Sequence, residues 1–265
     1  MIKTKNPVVN GVLEKFDTVY KMTSIFASER NSATNGLLIS GDAGTGKTHW
    51  CESGLFSVAD RSNVDYIKGS SITAPAIFVK LFLQRHPGKV LVLDDVDIIH
   101  KTGAELSTIL DLFKGATEMT KGPRILSWER AGSNSYMTEK GVPRSFDFQG
   151  SVIWITNDSL DAIAKKAKGH WHAISSRFNI ITVYLNDQEK LLYTLHLLEE
   201  GLLGPDCRAK EGGYPDHIVE ATTNYILKNY KDLEIVTPRV AVKIADLMET
   251  YPDDWEMLVE QQFIK

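Results

Sequence analysis

Residues 41–48 read GDAGTGKT, and few eight-residue stretches restrict a fold so tightly. Gly41, Gly44 and Gly46 let the chain wrap closely enough to aim successive backbone N–H groups at phosphate oxygens. Lys47 supplies a cation for the outer phosphates, and the Thr48 hydroxyl is a ligand for Mg2+. Asp42, Ala43 and Thr45 fill the places between, so the whole run is the candidate nucleotide-binding loop. Such a loop needs a strand before it and a helix after it, whose N-terminal dipole faces the anion. The sequence offers both: a short apolar run at 37–40 behind an Asn35-Gly36 turn signal, and a helix from about Lys47. That context argues against a mere glycine-rich turn.

The rest of the chain alternates strand and helix patterns. Val12, Phe16, Val19, Tyr20, Ile25 and Phe26 give residues 11–30 a helical period. Strands are expected near 64–67 and over 89–93, with a helix over 75–84 between them and a turn at His86-Pro87-Gly88. The uninterrupted apolar run at 89–93 suits a strand buried on both faces. Residues 104–120 place Leu106, Ile109, Leu110, Phe113, Ala116 and Met119 on one helical face. Residues 124–130 and 144–148 read as a hairpin around a polar loop, and 151–155 and 179–185 as further strands. This is the pattern of a doubly wound α/β parallel sheet with right-handed crossovers. After residue 185, Asn186-Asp187 offers a helix cap, leucines recur at helical spacing through 188–200, and only helical patterns follow the loop 201–215. The expected organisation is a P-loop nucleotide-binding domain over 1–185, with a hairpin insertion at about 124–148, followed by a small all-helical lid domain over 186–265.

Composition narrows the class. With 43% hydrophobic and 24% charged residues, the chain has enough apolar material for a core of its own. A formal charge of −4 leaves any nucleic-acid contact to local patches. Cys51 and Cys207 match no metal or redox spacing, no apolar run approaches the ~20 residues that span a bilayer, and the start MIKTKNP is no signal peptide. A cytoplasmic protein with no membrane partner is expected.

Residues 90–95, VLVLDD, form an apolar strand ending in two carboxylates. In P-loop proteins the first acid, here Asp94, holds the water shell of Mg2+, and the second, Asp95, orients or deprotonates the attacking water. Asp at the second place is one methylene shorter than Glu, which points to slow hydrolysis.

With these motifs in order, the chain resembles AAA+ ATPases over most of its length. SVIWITN at 151–157 looks like their sensor 1 strand, with Asn157 at its tip to position water near the γ-phosphate. Ser175-Ser176-Arg177-Phe178 is similar to the arginine-finger segment, which implies that Arg177 acts on nucleotide held by a neighbouring subunit. Thr237-Pro238-Arg239 looks like the sensor 2 helix start, with Arg239 facing the nucleotide from the lid. The resemblance implies ATP and Mg2+ as the bound groups, hydrolysis by in-line attack of water, and a homo-oligomeric ring or spiral. Asp95, Asn157, Arg177 and Arg239 would serve catalysis. The acid pair with Asp97 is similar to clamp loaders, and the Asp-Asp pair with Ser-Arg-Phe looks like replication initiators and helicase loaders; neither match fixes a clade.

Three functions compete. The leading one is an oligomeric, compact stand-alone AAA+ ATPase that remodels or translocates DNA or a DNA replication complex. The hairpin's Arg130, Tyr136, Lys140 and Arg144 suit phosphate contacts or base stacking, although Glu129, Glu139 and Asp147 nearly balance them and a purely structural hairpin fits as well. The second is a protein-remodelling ATPase, against which stands the lack of an aromatic residue in the pore-loop position at 68–72. The third is an ATP-switched assembly adaptor with little turnover. The basic run at 165–172 reads as a solvated helix end, a subunit contact or a phosphate contact, and its two histidines lack metal-ligand spacing.

Overall fold

The computed structural model describes residues 4–28, 34–120, 122–129 and 135–264. The chain divides into two compact units: Phe16–Gly41 with Lys47–Val183, and Met1–Lys15 with Asp42–Gly46 and Tyr184–Lys265. Helix α1 (Pro7–Ala27) contributes to both.

The first unit is built on β1 (Gly36–Gly41), β2 (Val64–Lys68), β3 (Val90–Asp94), β6 (Ser151–Thr156) and β7 (Phe178–Val183). All pair in parallel, in the order β2-β3-β6-β1-β7. Alternation sends Leu38, Leu91, Leu93, Val152 and Trp154 to one face, where they join a core with α3 (Ala74–Leu83), α4 (Gly103–Ala116), α6 (Leu160–Ala167) and α7 (Trp171–Arg177). Leu37, Ile39, Val90, Val92, Ile153 and Ile155 take the other face and are equally buried. A sheet covered on both sides explains why these strands read as unbroken apolar runs. On α2 (Lys47–Phe56), Trp50 stacks on Phe16 of α1 with ring centroids 5.9 Å apart.

The expected hairpin exists, but β4 (Ile125–Ser127) and β5 (Ser145–Asp147) are only three residues each. Between them lies a short helix, α5 (Ser135–Glu139), that the polar sequence did not announce; Arg130 falls outside the described residues. Rings fasten the hairpin to α3: Phe78 meets Trp128 and Phe146 at 5.5 and 5.0 Å, and Phe82 meets Phe146 at 5.3 Å.

Several local expectations shift. Helix α1 begins four residues before 11, where the Asn6 side chain accepts from the amide of Val8. Met119 lies beyond the end of α4 and is 56% exposed, because the helix stops at Ala116. Asn35-Gly36 is not a turn. Gly36 opens β1, and the buried Asn35 amide donates to the carbonyls of Ala116 (2.8 Å) and Gly150 (2.7 Å), closing the end of α4. Glycine is required at 36 by crowding, since a Cβ there would lie 2.7 Å from Thr117 Cγ2. The segment 158–177 forms α6 and α7, separated by a break at Lys168 (φ 49°).

The second unit carries α8 (Asp187–Glu199), α9 (Asp216–Asn229), α10 (Pro238–Thr250) and α11 (Trp255–Phe263). Leu198, Leu203, Ile226, Val236, Ala241, Ile244 and Val259 are among the residues that form its core. Asn186 and Glu189 complete a capping box at α8, as the Asn-Asp pair suggested. Thr237 caps α10 by accepting from the Val240 amide, with Pro238 in the first turn. Apart from one bridge between Leu233 and Ile264, its described residues hold no strand pairing. No described helix is long and apolar enough to cross a membrane.

Gly54 on α2 tests the packing of α1 on α2. A Cβ there would meet the Tyr20 carbonyl oxygen and the Thr23 hydroxyl, both well inside contact distance. Alanine favours a helix over glycine by ~1 kcal/mol, whereas overpacking costs about 1–3 kcal/mol, so the clash should win. Gly54→Ala is expected to lower the urea midpoint; a raised midpoint would mean that α1 yields without cost.

Candidate functional site

The parallel register brings three strand ends to one edge. Ser40 of β1 is opposite Thr156 of β6, and Asp94 of β3 is opposite Ile155. Residues just past these ends therefore converge: Lys47 and Thr48 from the start of α2, Asp94 and Asp95 from β3, Asn157 from β6.

Lys47 is buried, 6% exposed, and its ammonium donates to the Gly41 carbonyl at 2.9 Å and to Asn157 Oδ1 at 2.8 Å. The other half of the Asn157 amide donates to Asp95 Oδ1 at 2.8 Å. Asp95 adopts a left-handed backbone (φ 51°), and its amide donates to the Ile155 carbonyl at 3.0 Å. Asp tolerates that region better than most residues, yet strain of this kind gathers at functional sites. The Thr48 hydroxyl donates to Asp94 Oδ2 at 2.8 Å.

Burial raises the Asp94 carboxyl above the usual carboxylate range; Asp95 adds to the rise, while the Thr48 hydroxyl, Lys68 and Lys47 oppose it. Behind Asp94 stands Tyr66 of β2, whose hydroxyl donates to Asp94 Oδ2 across a long 3.4 Å. Burial pushes both the Tyr66 phenol and the neighbouring Cys51 thiol well up, so each stays neutral. Sequence reading missed Tyr66, because only strand pairing brings β2 beside β3.

Thr48 and Asp94 offer a hydroxyl and a carboxylate at one point, a donor set that fits Mg2+, which takes few protein ligands and otherwise phosphate and water oxygens. Among the described residues no group of three or more His, Cys, Asp or Glu side chains forms a denser metal site.

In the second unit, the loop's middle shows the glycine conformations that phosphate wrapping requires, with φ 74° at Gly44 and 104° at Gly46. The Thr45 hydroxyl donates to the Asp42 carbonyl at 2.9 Å. A Cβ on Gly44 would lie 3.2 Å from Arg239 Cβ and 3.3 Å from Thr237 Oγ1, so the α10 start abuts the loop and Arg239 is exposed beside it. The Asp42 carboxylate accepts from the Leu185 amide at 3.0 Å and pairs with Lys190 at 3.2 Å; Lys190 too escaped sequence reading.

Arg177 ends α7, half-buried, and donates to the Ala173 carbonyl at 3.2 Å, a bond within its own helix. Of the hairpin cations, Arg124 is committed to the Phe148 carbonyl at 2.9 Å, whereas Tyr136 and Lys140 are exposed. In the basic run, His170 Nε2 lies 3.3 Å from Ser107 Oγ and Nδ1 3.4 Å from Asp111, which ties this turn to α4.

The strand bearing the acids is separated from the loop strand by β6, whose tip carries the asparagine. The fold is a five-stranded parallel α/β sheet with flanking helices, followed by a helical C-terminal region. No family model matches the chain. An uncharacterised 36.7 kDa protein of the nrdC–mobD intergenic region of Enterobacteria phage T4 is 28% identical over 247 residues, 90% of this chain and 72% of that protein. NtrX from Brucella abortus in complex with ADP covers 98% of this chain at a TM-score of 0.45 and 10% identity. AMPPCP-bound DnaA from Aquifex aeolicus covers 94% at a TM-score of 0.48 and 12% identity. This chain spans 65% of the length of each of these two structures.

The burial of Asp94 sets stability against its charge. Its carboxyl is raised in the fold, so the ionised form costs stability at pH values above that raised pKa, and the cost fades as pH falls through it. Without nucleotide at pH 8, Asp94→Asn should melt higher than the native chain, by about 2–4 °C for each kcal/mol relieved, with the gap closing toward acid pH. Thermal unfolding across pH reads this; a lower melting point at pH 8 would show that the Thr48 and Tyr66 hydrogen bonds outweigh burial.

Proposed function

We propose that the chain is an oligomeric ATP hydrolase whose turnover remodels or translocates DNA or a DNA replication complex. The observation that carries the hydrolase reading is the continuous set Lys47–Asn157–Asp95, with Thr48 on Asp94 alongside. A cation for the outer phosphates, a carboxylate for the attacking water and an amide holding both converge at one sheet edge. Phosphoryl transfer asks the protein for this kind of positioning and charge complementarity rather than covalent chemistry. When bound through Thr48 and Asp94, Mg2+ would neutralise charge on the phosphates. Asp95 would accept the proton of the water, Arg239 would approach the phosphates from the α10 start, and Arg177 would act on the nucleotide of a neighbouring subunit.

Two observations favour a nucleic-acid cargo over a polypeptide. Tyr136 and Lys140 are exposed on the hairpin, which offers a base-stacking ring and a cation. The 68–72 loop has no aromatic grip, and its one large apolar residue, Ile72, is buried at 7% exposure. Lys68 there is already paired with Glu52 at 2.6 Å, and Ser71 accepts from Lys101 at 3.2 Å. The adaptor reading keeps one point in its favour: the short Asp95 carboxylate is engaged by Asn157.

Phosphate release measured with and without DNA tests the proposal. DNA is expected to stimulate turnover, and Lys47→Ala to abolish it. Arg177→Ala should lower kcat by about 10³-fold or more while ATP binding persists. An unchanged kcat would remove Arg177 from the neighbour's site. Stimulation by a protein partner alone would favour protein remodelling, and ATP-dependent assembly without phosphate release would favour the adaptor.

A further inference from the structure

An acid inside a phosphate-binding loop is a problem that this fold has to solve. Asp42 follows the first glycine of the loop, and its carboxylate would repel a triphosphate unless its charge were met elsewhere. The structure meets it at the start of α8. Asp42 Oδ2 accepts from the Leu185 amide at 3.0 Å and pairs with the Lys190 ammonium at 3.2 Å, with the two side chains only 28% and 11% exposed. Lys190 itself lies in the first turns of α8, its amide bonded to the Asn186 carbonyl at 2.9 Å.

The segment that receives Asp42 is held from several directions. Asn186 accepts from the Glu189 amide at 2.9 Å, and Glu189 returns a bond to the Asn186 amide at 2.8 Å. Lys15 of α1 donates to the Tyr184 carbonyl at 3.1 Å and to Glu189 at 2.9 Å. Residues 184–190 thus form a fixed mount, and Asp42 is the side chain by which the phosphate loop grips it.

We propose that Asp42 and Lys190 form a charge-compensated latch. Lys190 neutralises the loop's own acid so that the loop accepts an anion, and the pair sets loop geometry from the start of α8. Both are positioning residues: they act through the loop backbone rather than on the reacting atoms. The affinity part rests on the ATP reading above; the latch itself does not.

The distinguishing prediction is rescue of one deletion by another. Lys190→Met removes this cation from Asp42 and should weaken a fluorescent ATP analogue about tenfold. Asp42→Asn in the Lys190→Met background removes the carboxylate charge, keeps an acceptor for the Leu185 amide, and should recover most of that loss. Lys190→Arg should retain affinity. A merely structural role predicts no recovery, because a second lesion would add to the first. Unchanged affinity in Lys190→Met, or a double variant weaker than either single one, would overturn the latch. Thermal unfolding without nucleotide supplies the independent measurement: the two single changes should each lower the melting point, and the double change should fall short of their sum. If the native chain and Lys47→Ala both fail to bind the analogue, the ATP reading fails. The thermal cycle then decides the latch alone, with additive losses counting against it.

Discussion

Everything at the candidate site depends on the register between β1, β6 and β3. Pairing Ser40 with Thr156 and Asp94 with Ile155 is what brings Lys47, Asn157 and the two acids within hydrogen-bond reach. A slip of one residue would turn each strand's side chains to the opposite face and part these groups. The sheet resists slipping because both faces are buried, so neither alternate row can be exchanged for a polar one. Two local devices add to this. The Asn35 carbonyl accepts from the Val152 amide at 2.8 Å while its side chain holds Gly150, fixing where β1 and β6 start. Gly41, at the other end of β1, approaches β7 so closely that a Cβ would collide with the Val183 carbonyl, so the strand ends on glycine for packing as well as for phosphate access.

That framework lets the site hold charges a protein interior ordinarily rejects. Lys47 is a nearly buried ammonium supported by a carbonyl and an amide oxygen, neither of which carries charge. Asp94 is a buried carboxylate supported by hydroxyls rather than by a direct cation. These neutral partners help fix the position of each group. The α8 end of the loop works differently. At Asp42 the carboxylate pairs directly with a cation, Lys190.

The sequence revealed most where chemistry is local. The loop at 41–48 and the acids at 94–95 must be contiguous to work, and the α8 cap depends on residues three apart, so all were visible as strings. Less was visible where a short element follows from packing. Helix α5 and the break between α6 and α7 at Lys168 carry no periodic signal, and Met119 continued a helical pattern past the point where Asn35 closes α4. Residues whose meaning is a distant partner were invisible: Asn35 reaches Gly150 across 115 positions, and Asp42 reaches Leu185 across 143. Tyr66 belongs with them, an ordinary strand aromatic until β2 lies beside β3.

Asn157 shows how far such a contact can change the meaning of a residue that sequence had found. A polar tip on this strand suggested a group that positions water. Its amide also accepts from Lys47 and donates to Asp95. The consequence is mechanical: an amide between them links lysine and carboxylate through a planar, uncharged spacer and makes the position of each depend on the other. That coupling, more than the presence of any one group, is what a strand-end asparagine gives the candidate phosphate loop.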